Sequence, residues 1–156
     1  MVNKRLSVLL LVFFIVGLLI SSGCSAARKP APTDEPIPNR TRADEVDTAR
    51  AQHITSEINQ VNGVQKAMVV VAGRNAYVGL DVKPGLKEEQ VHELENIVAD
   101  QIKGTEEAIN TVYVSSDPDF VSRIQKVSQG IAKGDSVTRY ADELSDLGRR
   151  IKPRTI

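Results

Sequence analysis

Residues 64–82, VQKAMVVVAGRNAYVGLDV, contain the clearest secondary-structure signal in this chain. The first half of this stretch is an almost continuous apolar run. In its second half every other residue is apolar, namely Ala76, Val78, Leu80 and Val82. Both patterns are typical of β-strands. The Gly73-Arg74-Asn75 segment between them predicts a short turn, in which Asn75 can adopt the left-handed conformation. We therefore expect residues 64–72 and 76–82 to form a β-hairpin.

Amphipathic helices are predicted on both sides of this hairpin. The first covers residues 43–62, and its apolar stripe is Val46, Ile54, Ile58 and Val61. The second covers residues 86–102, and its stripe is Val91, Leu94, Val98 and Ile102. Residues 109–116 predict a third strand, which gives the order α-β-β-α-β. The expected fold is α+β, with two helices on a three-stranded sheet and a core that includes Val70, Val78, Leu94 and Val112.

Two more helices are predicted after the third strand. Asp117 and Pro118 are typical of an N-cap and a first helical position, so one helix should begin there and continue to residue 131. A last helix is expected over residues 135–151. Its apolar stripe is Val137, Tyr140, Leu144, Leu147 and Ile151. This spacing fits a helix that packs on its own domain or one that binds a partner.

The first 24 residues have the layout of an exported, lipid-modified protein. A short positive start is followed by an apolar core, residues 6–20, which is shorter than the ~20 residues that span a bilayer. The segment resembles the lipobox of bacterial lipoproteins, with cleavage before Cys24, although Ser21 stands where Leu is usual. Cys24, the single cysteine, is therefore predicted to carry diacylglycerol and acyl chains such as palmitate. The alternative is an ordinary signal or anchor helix with an incidental cysteine.

The domain boundaries follow from composition. Residues 1–23 are the predicted signal peptide, residues 24–42 the lipidated cysteine and a tether with four prolines, and residues 43–156 the folded domain. Proline favours an extended tether of up to about 50 Å, at ~3 Å per residue. Loss of Lys4 and Arg5 with the leader reduces the 20 basic residues to 18 against 20 acidic ones, a net charge of −2. This balance, with few aromatic residues, argues against nucleic acid as a partner.

The sequence predicts no catalytic site, metal site or cofactor. The segment HELEN, residues 92–96, begins like a zinc-protease helix, but Asn96 stands where the second histidine is needed. His92 and His53 are expected to be exposed or boundary residues. The paired glutamates at 88–89, 93 and 95, and 106–107 are expected on solvated helix faces. These absences favour a protein that is not an enzyme, and an unrecognised enzyme or small-ligand binder is the weaker alternative.

Two motifs together resemble those of the YhcN/YlaJ family of sporulation lipoproteins from spore-forming Firmicutes. The first is VQKAMVVVAGRNAYVGLDV, and the second is VYVSSDPDF, residues 112–120. The resemblance covers residues 43–151. It implies expression in the forespore, a lipid anchor on the outer face of the cell membrane, in the forespore or inner spore membrane, and a role in germination without catalysis. The order of elements is also similar to that of ring-building modules, which is an analogy of fold.

Five side chains are candidates for a protein-binding surface. Tyr77 and Tyr113 fall on the sheet face opposite the alternating apolar positions, so they should lie side by side there, and tyrosine is favoured at interfaces. Tyr140, Leu144 and Leu147 belong to the last helical stripe. A purely structural role is the alternative for all five.

The function expected from these observations is that of a lipid-anchored, non-enzymatic spore-envelope protein. It would support sporulation or germination through contacts with another spore-envelope or germination protein. The second hypothesis is a self-assembling module, similar to ring-building domains, at the forespore membrane.

Overall fold

The computed structural model describes residues 41–151 and 154–155. Within that part of the chain, the helices are α1 (Arg42–Ile58), α2 (Glu88–Thr105), α3 (Pro118–Ala132) and α4 (Ala141–Arg150), with a 3₁₀ helix at Val137–Tyr140. The strands are β1 (Val64–Ala72), β2 (Asn75–Val82), β3 (Thr111–Ser115) and β4 (Arg154–Thr155). The predicted leader, Cys24 and most of the predicted tether lie outside the described residues, so the expectations for them stay predictions.

The sheet has the strand order β1-β2-β3-β4. Strands β1 and β2 form the expected antiparallel hairpin, and α2 crosses over so that β3 lies parallel to β2. The α+β class and the α-β-β-α-β order with two helices after it are thereby confirmed. The two-residue β4, which pairs antiparallel with β3, is an addition that the sequence pattern did not indicate.

The hairpin turn differs from the prediction in one residue. Ala72 pairs with Asn75, so the turn contains only Gly73 and Arg74. Gly73 has a φ of 61°, and no residue other than glycine has a positive φ among those described. A two-residue hairpin turn that begins with glycine needs left-handed backbone only at that glycine. The prediction that Asn75 takes this conformation is wrong, because Asn75 is the first residue of β2.

One face of the sheet packs against α1 and α2. This first core includes Ile54 and Ile58 of α1, Leu94, Val98 and Ile102 of α2, and Val78 and Val112 of the strands. The predicted core residues Val78, Leu94 and Val112 are all buried here. The helix α1 ends at Ile58, four residues before the predicted end, and the side chain of its C-cap, Asn59, accepts a hydrogen bond from the N–H of Ala67. Val46 is 49% exposed and lies outside the stripe in which it was expected.

The opposite face of the sheet packs against α3 and α4. This second core includes Val70 and Tyr77 of the sheet, Phe120, Ile124 and Val127 of α3, and Leu144 and Leu147 of α4. Asp117 caps α3, and Pro118 is its first residue, as predicted. At Gly79 the backbone of α3 approaches β2 so closely that an added Cβ would lie 3.2 Å from the Cα of Val121. Both faces of the sheet are therefore covered by helices of the same chain.

Candidate functional site

Tyr77 and Tyr113 lie side by side on adjacent strands, as the sequence predicted. Their backbones are partners in the β2–β3 register, and their rings stack with centroids 4.9 Å apart and an interplanar angle of 12°. They are not on an open surface, because Tyr77 is only 5% exposed and α4 lies over the pair. A Cβ on Gly148 of α4 would come within 3.1 Å of the Tyr113 ring. Glycine at this position allows the helix to approach the ring.

The Tyr77 hydroxyl has no hydrogen-bond partner within the described part of the chain. Burial raises the pKa of this phenol, and the neighbouring Tyr113 raises it further. A buried tyrosine hydroxyl usually finds a partner. Tyr77 lines a groove of about 610 Å³ between the start of α1, the hairpin turn and α4, whose walls also include Tyr113 and Ser145.

The leucines of the predicted binding stripe are core residues of this fold. Leu144 is 2% exposed and Leu147 is 1% exposed, and both pack in the second core. This arrangement favours the alternative in which the last helix packs on its own domain. A partner could reach the two leucines only if α4 left the sheet, so their role in binding a partner stays a prediction.

Tyr140 is held in place by the connection between α3 and α4. Its hydroxyl donates a 2.6 Å hydrogen bond to Oδ2 of Asp135, and its ring lies directly over Gly130, where a Cβ would collide with it. The hydrogen bond raises the pKa of Tyr140 and lowers that of Asp135. Of the three tyrosines, Tyr140 is therefore the one whose hydroxyl has a clear structural role.

A buried carboxylate at Asp44 joins α1 to the connection before α4. Asp44 is 3% exposed and forms a capping box with Thr41. Its oxygens also accept hydrogen bonds of 3.0 Å from the Ser136 hydroxyl and the Val137 N–H. Burial opposes ionisation, but these hydrogen bonds outweigh it and lower the pKa of Asp44. Asp44 is not among the residues predicted from the sequence, although a threonine with aspartate three positions later is the visible signature of a capping box.

Glu95 is the second buried carboxylate, and the expectation that it lies on a solvated face is wrong. It is 6% exposed, and its Oε1 accepts hydrogen bonds from the N–H (2.8 Å) and hydroxyl (2.9 Å) of Ser116. Its Oε2 lies 3.4 Å from Nδ1 of His92, whose side chain is 63% exposed. Glu95 thus fixes the end of β3 against α2, a role that depends on contacts distant in the sequence.

The two histidines contact different carboxylates, His92 that of Glu95 and His53 that of Glu106. His53, also largely exposed, has its Nδ1 3.0 Å from Oε1 of Glu106. No group of three metal-ligating side chains is found among residues 41–151.

Over the same residues, none of the helices has the length and apolar character that a membrane crossing requires.

A second groove of about 400 Å³ runs along the outer edge of β1, the first strand in the sheet order, and we call it the edge groove. One wall comes from α1, through Thr48, Gln52 and Thr55, and the other from the end of α3, through Ser128 and Ile131. Its floor is β1 at residues 69–71. None of the five predicted binding residues lines this groove, because its two walls and its floor come from three elements that are separate in the sequence.

Comparison with known proteins gives one family match. A family model described as sporulation lipoprotein YhcN/YlaJ matches residues 25–152. That range includes all four helices and the strands β1 to β3.

Two curated relatives from Bacillus subtilis (strain 168) are similar to this chain. "Probable spore germination lipoprotein YhcN" is 31% identical over 103 residues, which is 66% of this chain and 54% of that protein. "Probable spore germination lipoprotein YlaJ" is 35% identical over 121 residues, which is 78% of this chain and 55% of that protein. The chain thus spans about half the length of each of these relatives.

Proposed function

Because this chain belongs to the YhcN/YlaJ family of sporulation lipoproteins, we propose that it supports spore germination by contact with another protein and without catalysis. Both relatives carry germination in their names. The contact would be made from a membrane, through lipid on Cys24. The forespore or inner spore membrane is the location that this proposal favours.

The observation that carries the proposal is the edge groove. The helices α1 to α4 bury their apolar faces on the two sides of the sheet, which leaves little of either face for a partner. The edge groove, in contrast, is an open recess lined by apolar and polar side chains, and Asp47 is the only charged residue among the described residues that line it. A recess of about 400 Å³ is within the range of pockets that bind ligands.

The roles of the buried carboxylates support a function without catalysis. A catalytic acid or base needs access to a substrate. The oxygens of Asp44 and Glu95 instead accept hydrogen bonds from backbone N–H groups and from hydroxyls that hold secondary structure together. The burial of these two carboxylates therefore fits a role in stabilising the fold.

Substitution of the predicted lipid attachment site tests the anchored function. We expect wild-type protein to partition into detergent and to resist washing with salt, because two or more acyl chains anchor a protein stably where one does not. Cys24→Ser protein should be uncleaved or released, and spores that carry it should germinate as slowly as a deletion strain. Ser25→Ala, which keeps the thiol next to it, is the control and should behave as wild type.

Two results would contradict the proposal. Wild-type protein recovered in the soluble fraction after a low-salt wash would exclude the anchor. Normal germination of the deletion strain would exclude the role. Large, concentration-dependent rings of the purified protein would favour the self-assembly hypothesis instead.

A further inference from the structure

We propose that residues 36–40, PIPNR, bind in the groove of about 610 Å³ between the start of α1, the hairpin turn and α4. We call this groove the tyrosine groove, because Tyr77 and Tyr113 form part of its wall. The segment directly precedes Thr41, the first described residue. This inference goes beyond the proposed function, since it concerns a contact of the chain with its own predicted tether.

The residue to which the segment is attached is itself part of the groove wall. Thr41, the N-cap of α1, has an extended backbone with φ −92° and ψ 164°. Its N–H and its hydroxyl both donate 2.8 Å hydrogen bonds to Oδ2 of Asp44. Asp44 also accepts the N–H of Val137, which lines the groove. These bonds fix the end of the segment at the groove.

The length of the segment favours this occupant over a second copy or a partner. At ~3 Å per residue, five extended residues span about 15 Å, which is long enough to cross a recess of about 610 Å³. A segment attached beside its site also has an effective concentration on the order of millimolar. A separate molecule reaches that concentration only when it is itself abundant, so the attached segment binds first.

The wall of the tyrosine groove fits a proline-rich segment. Tyr77 and Tyr113 stack with their ring centroids 4.9 Å apart, and Ala72 and Leu144 also line the groove. Grooves lined by aromatic side chains commonly bind proline-rich segments in the polyproline conformation. The φ angles of Pro36 and of the other proline in the segment are fixed by their rings, so binding costs little conformational entropy.

The hydroxyl of Tyr113 is the hydrogen-bond donor that the groove offers to the segment. Tyr113 is only partly buried, and its hydroxyl has no hydrogen-bond partner among the described residues. A polyproline helix has no internal hydrogen bonds, so its carbonyl oxygens are free to accept. Pro36 and Pro38 have no N–H group, so their burial leaves no backbone donor unsatisfied. Tyr77, which is 5% exposed, contributes its ring to the wall.

The charges of the groove and the segment are complementary. Among the described residues that line the groove, Asp44 and Asp47 are acidic and Arg149 is basic. Residues 36–40 carry one charge, that of the cation Arg40. A wall with an excess of one negative charge therefore meets a segment with one positive charge, and complementary charges favour the correct partner over an acidic one.

Binding of the segment changes the reach of the predicted tether, residues 24–42. When residues 36–40 are held in the groove, the free part is shorter by about 15 Å, at ~3 Å per residue. The domain then lies closer to the membrane surface, and release of the segment extends its reach. The tyrosine groove thus controls how far the domain extends from its anchor.

The direct test is NMR spectroscopy of the lipid-anchored protein in detergent micelles. We expect nuclear Overhauser effects between the methyl protons of Ile37 and the ring protons of Tyr113. These effects should persist when the protein is diluted, because the contact is within one chain.

Two double variants provide a matched comparison. Pro36→Gly combined with Pro38→Gly, the groove-release variant, should abolish the contacts of Ile37, because glycine removes the ring contacts and increases the conformational freedom of the unbound segment. Pro30→Gly combined with Pro32→Gly makes the same change elsewhere in the predicted tether and should leave these contacts intact.

A blocked peptide of sequence PIPNR measures occupancy of the groove by competition. Titration into the groove-release variant should shift the ring protons of Tyr113. If the attached segment fills the groove about nine-tenths of the time, wild-type protein should bind the peptide about tenfold more weakly than this variant.

Removal of one hydroxyl tests the inferred hydrogen bond. In the groove-release variant, Tyr113→Phe should lower the affinity for the peptide by about fivefold, as expected for the loss of one hydrogen bond. Tyr77→Phe removes the hydroxyl from the neighbouring ring and should leave the affinity unchanged. Equal effects of the two substitutions would contradict the hydrogen bond to Tyr113.

Four results would overturn the proposal. The first is the absence of contacts between Ile37 and Tyr113 in the wild-type protein, and the second is their equal loss in the two double variants. The third is equal affinity of wild type and the groove-release variant for the peptide, which would indicate a site for a proline-rich segment of a partner. The fourth is loss of the contacts on dilution, which would indicate binding by a second copy.

Discussion

The Asp44 carboxylate connects two segments that lie 93 positions apart in the sequence, through its bond to Val137. We expect Asp44→Asn to lower the free energy of unfolding by about 1.5–3 kcal/mol at pH 7, the range for hydrogen bonds to charged groups. The amide has only one acceptor oxygen, so it cannot serve Thr41, Ser136 and Val137 together. Urea unfolding followed by circular dichroism measures the difference.

The stability difference between wild type and Asp44→Asn should also depend on pH. The pKa of Asp44 is lowered in the folded protein, below the usual value of 3.8. Its stabilising effect is therefore fully present above that value and is lost as the pH falls through the folded pKa. The difference between wild type and Asp44→Asn should shrink from pH 6 to pH 3. Glu45→Gln, at an exposed position of the same turn, is the control, and an equal difference at both pH values would contradict the role of the charge.

The tyrosines of the second core should respond in opposite ways to loss of the hydroxyl. Tyr77→Phe should leave the unfolding free energy unchanged or raise it slightly, because the buried hydroxyl has no partner among the described residues. Tyr140→Phe should lower it by about 1 kcal/mol, because the bond to Asp135 is lost. Thermal melts of the two variants provide the comparison. A larger loss for Tyr77→Phe than for Tyr140→Phe would contradict these assignments.

Helix α4 is the element whose role the sequence left open, and the structure allows a direct prediction. Leu144→Ser combined with Leu147→Ser should destabilise the domain by several kcal/mol, at about 1.5–3 kcal/mol for each buried side chain. The control is Asp142→Ser combined with Arg149→Ser, which changes two exposed positions of the same helix and should have little effect. A melting temperature that barely moves in the leucine variant would show that α4 is not held on the sheet, and would restore its partner-binding role.

The periodicity of the sequence predicted most of the elements, because alternation and helical stripes are local signals. Strand β1 was predicted with its exact bounds, and α3 with its cap at Asp117. The start of α4, in contrast, was not predicted correctly. The segment expected to be helical from residue 135 begins as a 3₁₀ helix at Val137, whose N–H is bound by Asp44 of α1. A contact over this distance leaves no trace in a local pattern.

The burial of Glu95 escaped prediction for the same reason. Its neighbours in the sequence are acidic, which is typical of a solvated helix face. Its partner is the backbone N–H of Ser116 at the end of β3, and only the packing of α2 against that strand brings the two together. Charge density along a helix therefore predicted the exposure of most of its glutamates but not of this one.

The arrangement of the layers explains why the predicted binding surface of Tyr77 and Tyr113 is covered by helices. From the sequence, Tyr77 and Tyr113 should lie together on one face of a three-stranded sheet, and they do. That this face is closed by α3 and α4 depends on how four helices are shared between two sides of a sheet. The sequence therefore predicted a contact surface on a face of the sheet, whereas the recess that the helices leave lies along the edge of β1.

The contacts of Asp44 also indicate the order in which parts of the fold can form. As the chain is synthesised from its N-terminus, Thr41 and Asp44 can close their capping box at once, since they are three positions apart. The bonds to Ser136 and Val137 must wait for more than 90 further residues, and closing so long a loop costs conformational entropy. Contacts between distant segments slow folding. The first core can be complete by the end of β3, whereas Asp44 receives its last partners only when the 3₁₀ helix before α4 has been made. This carboxylate is therefore a marker for a late step of folding.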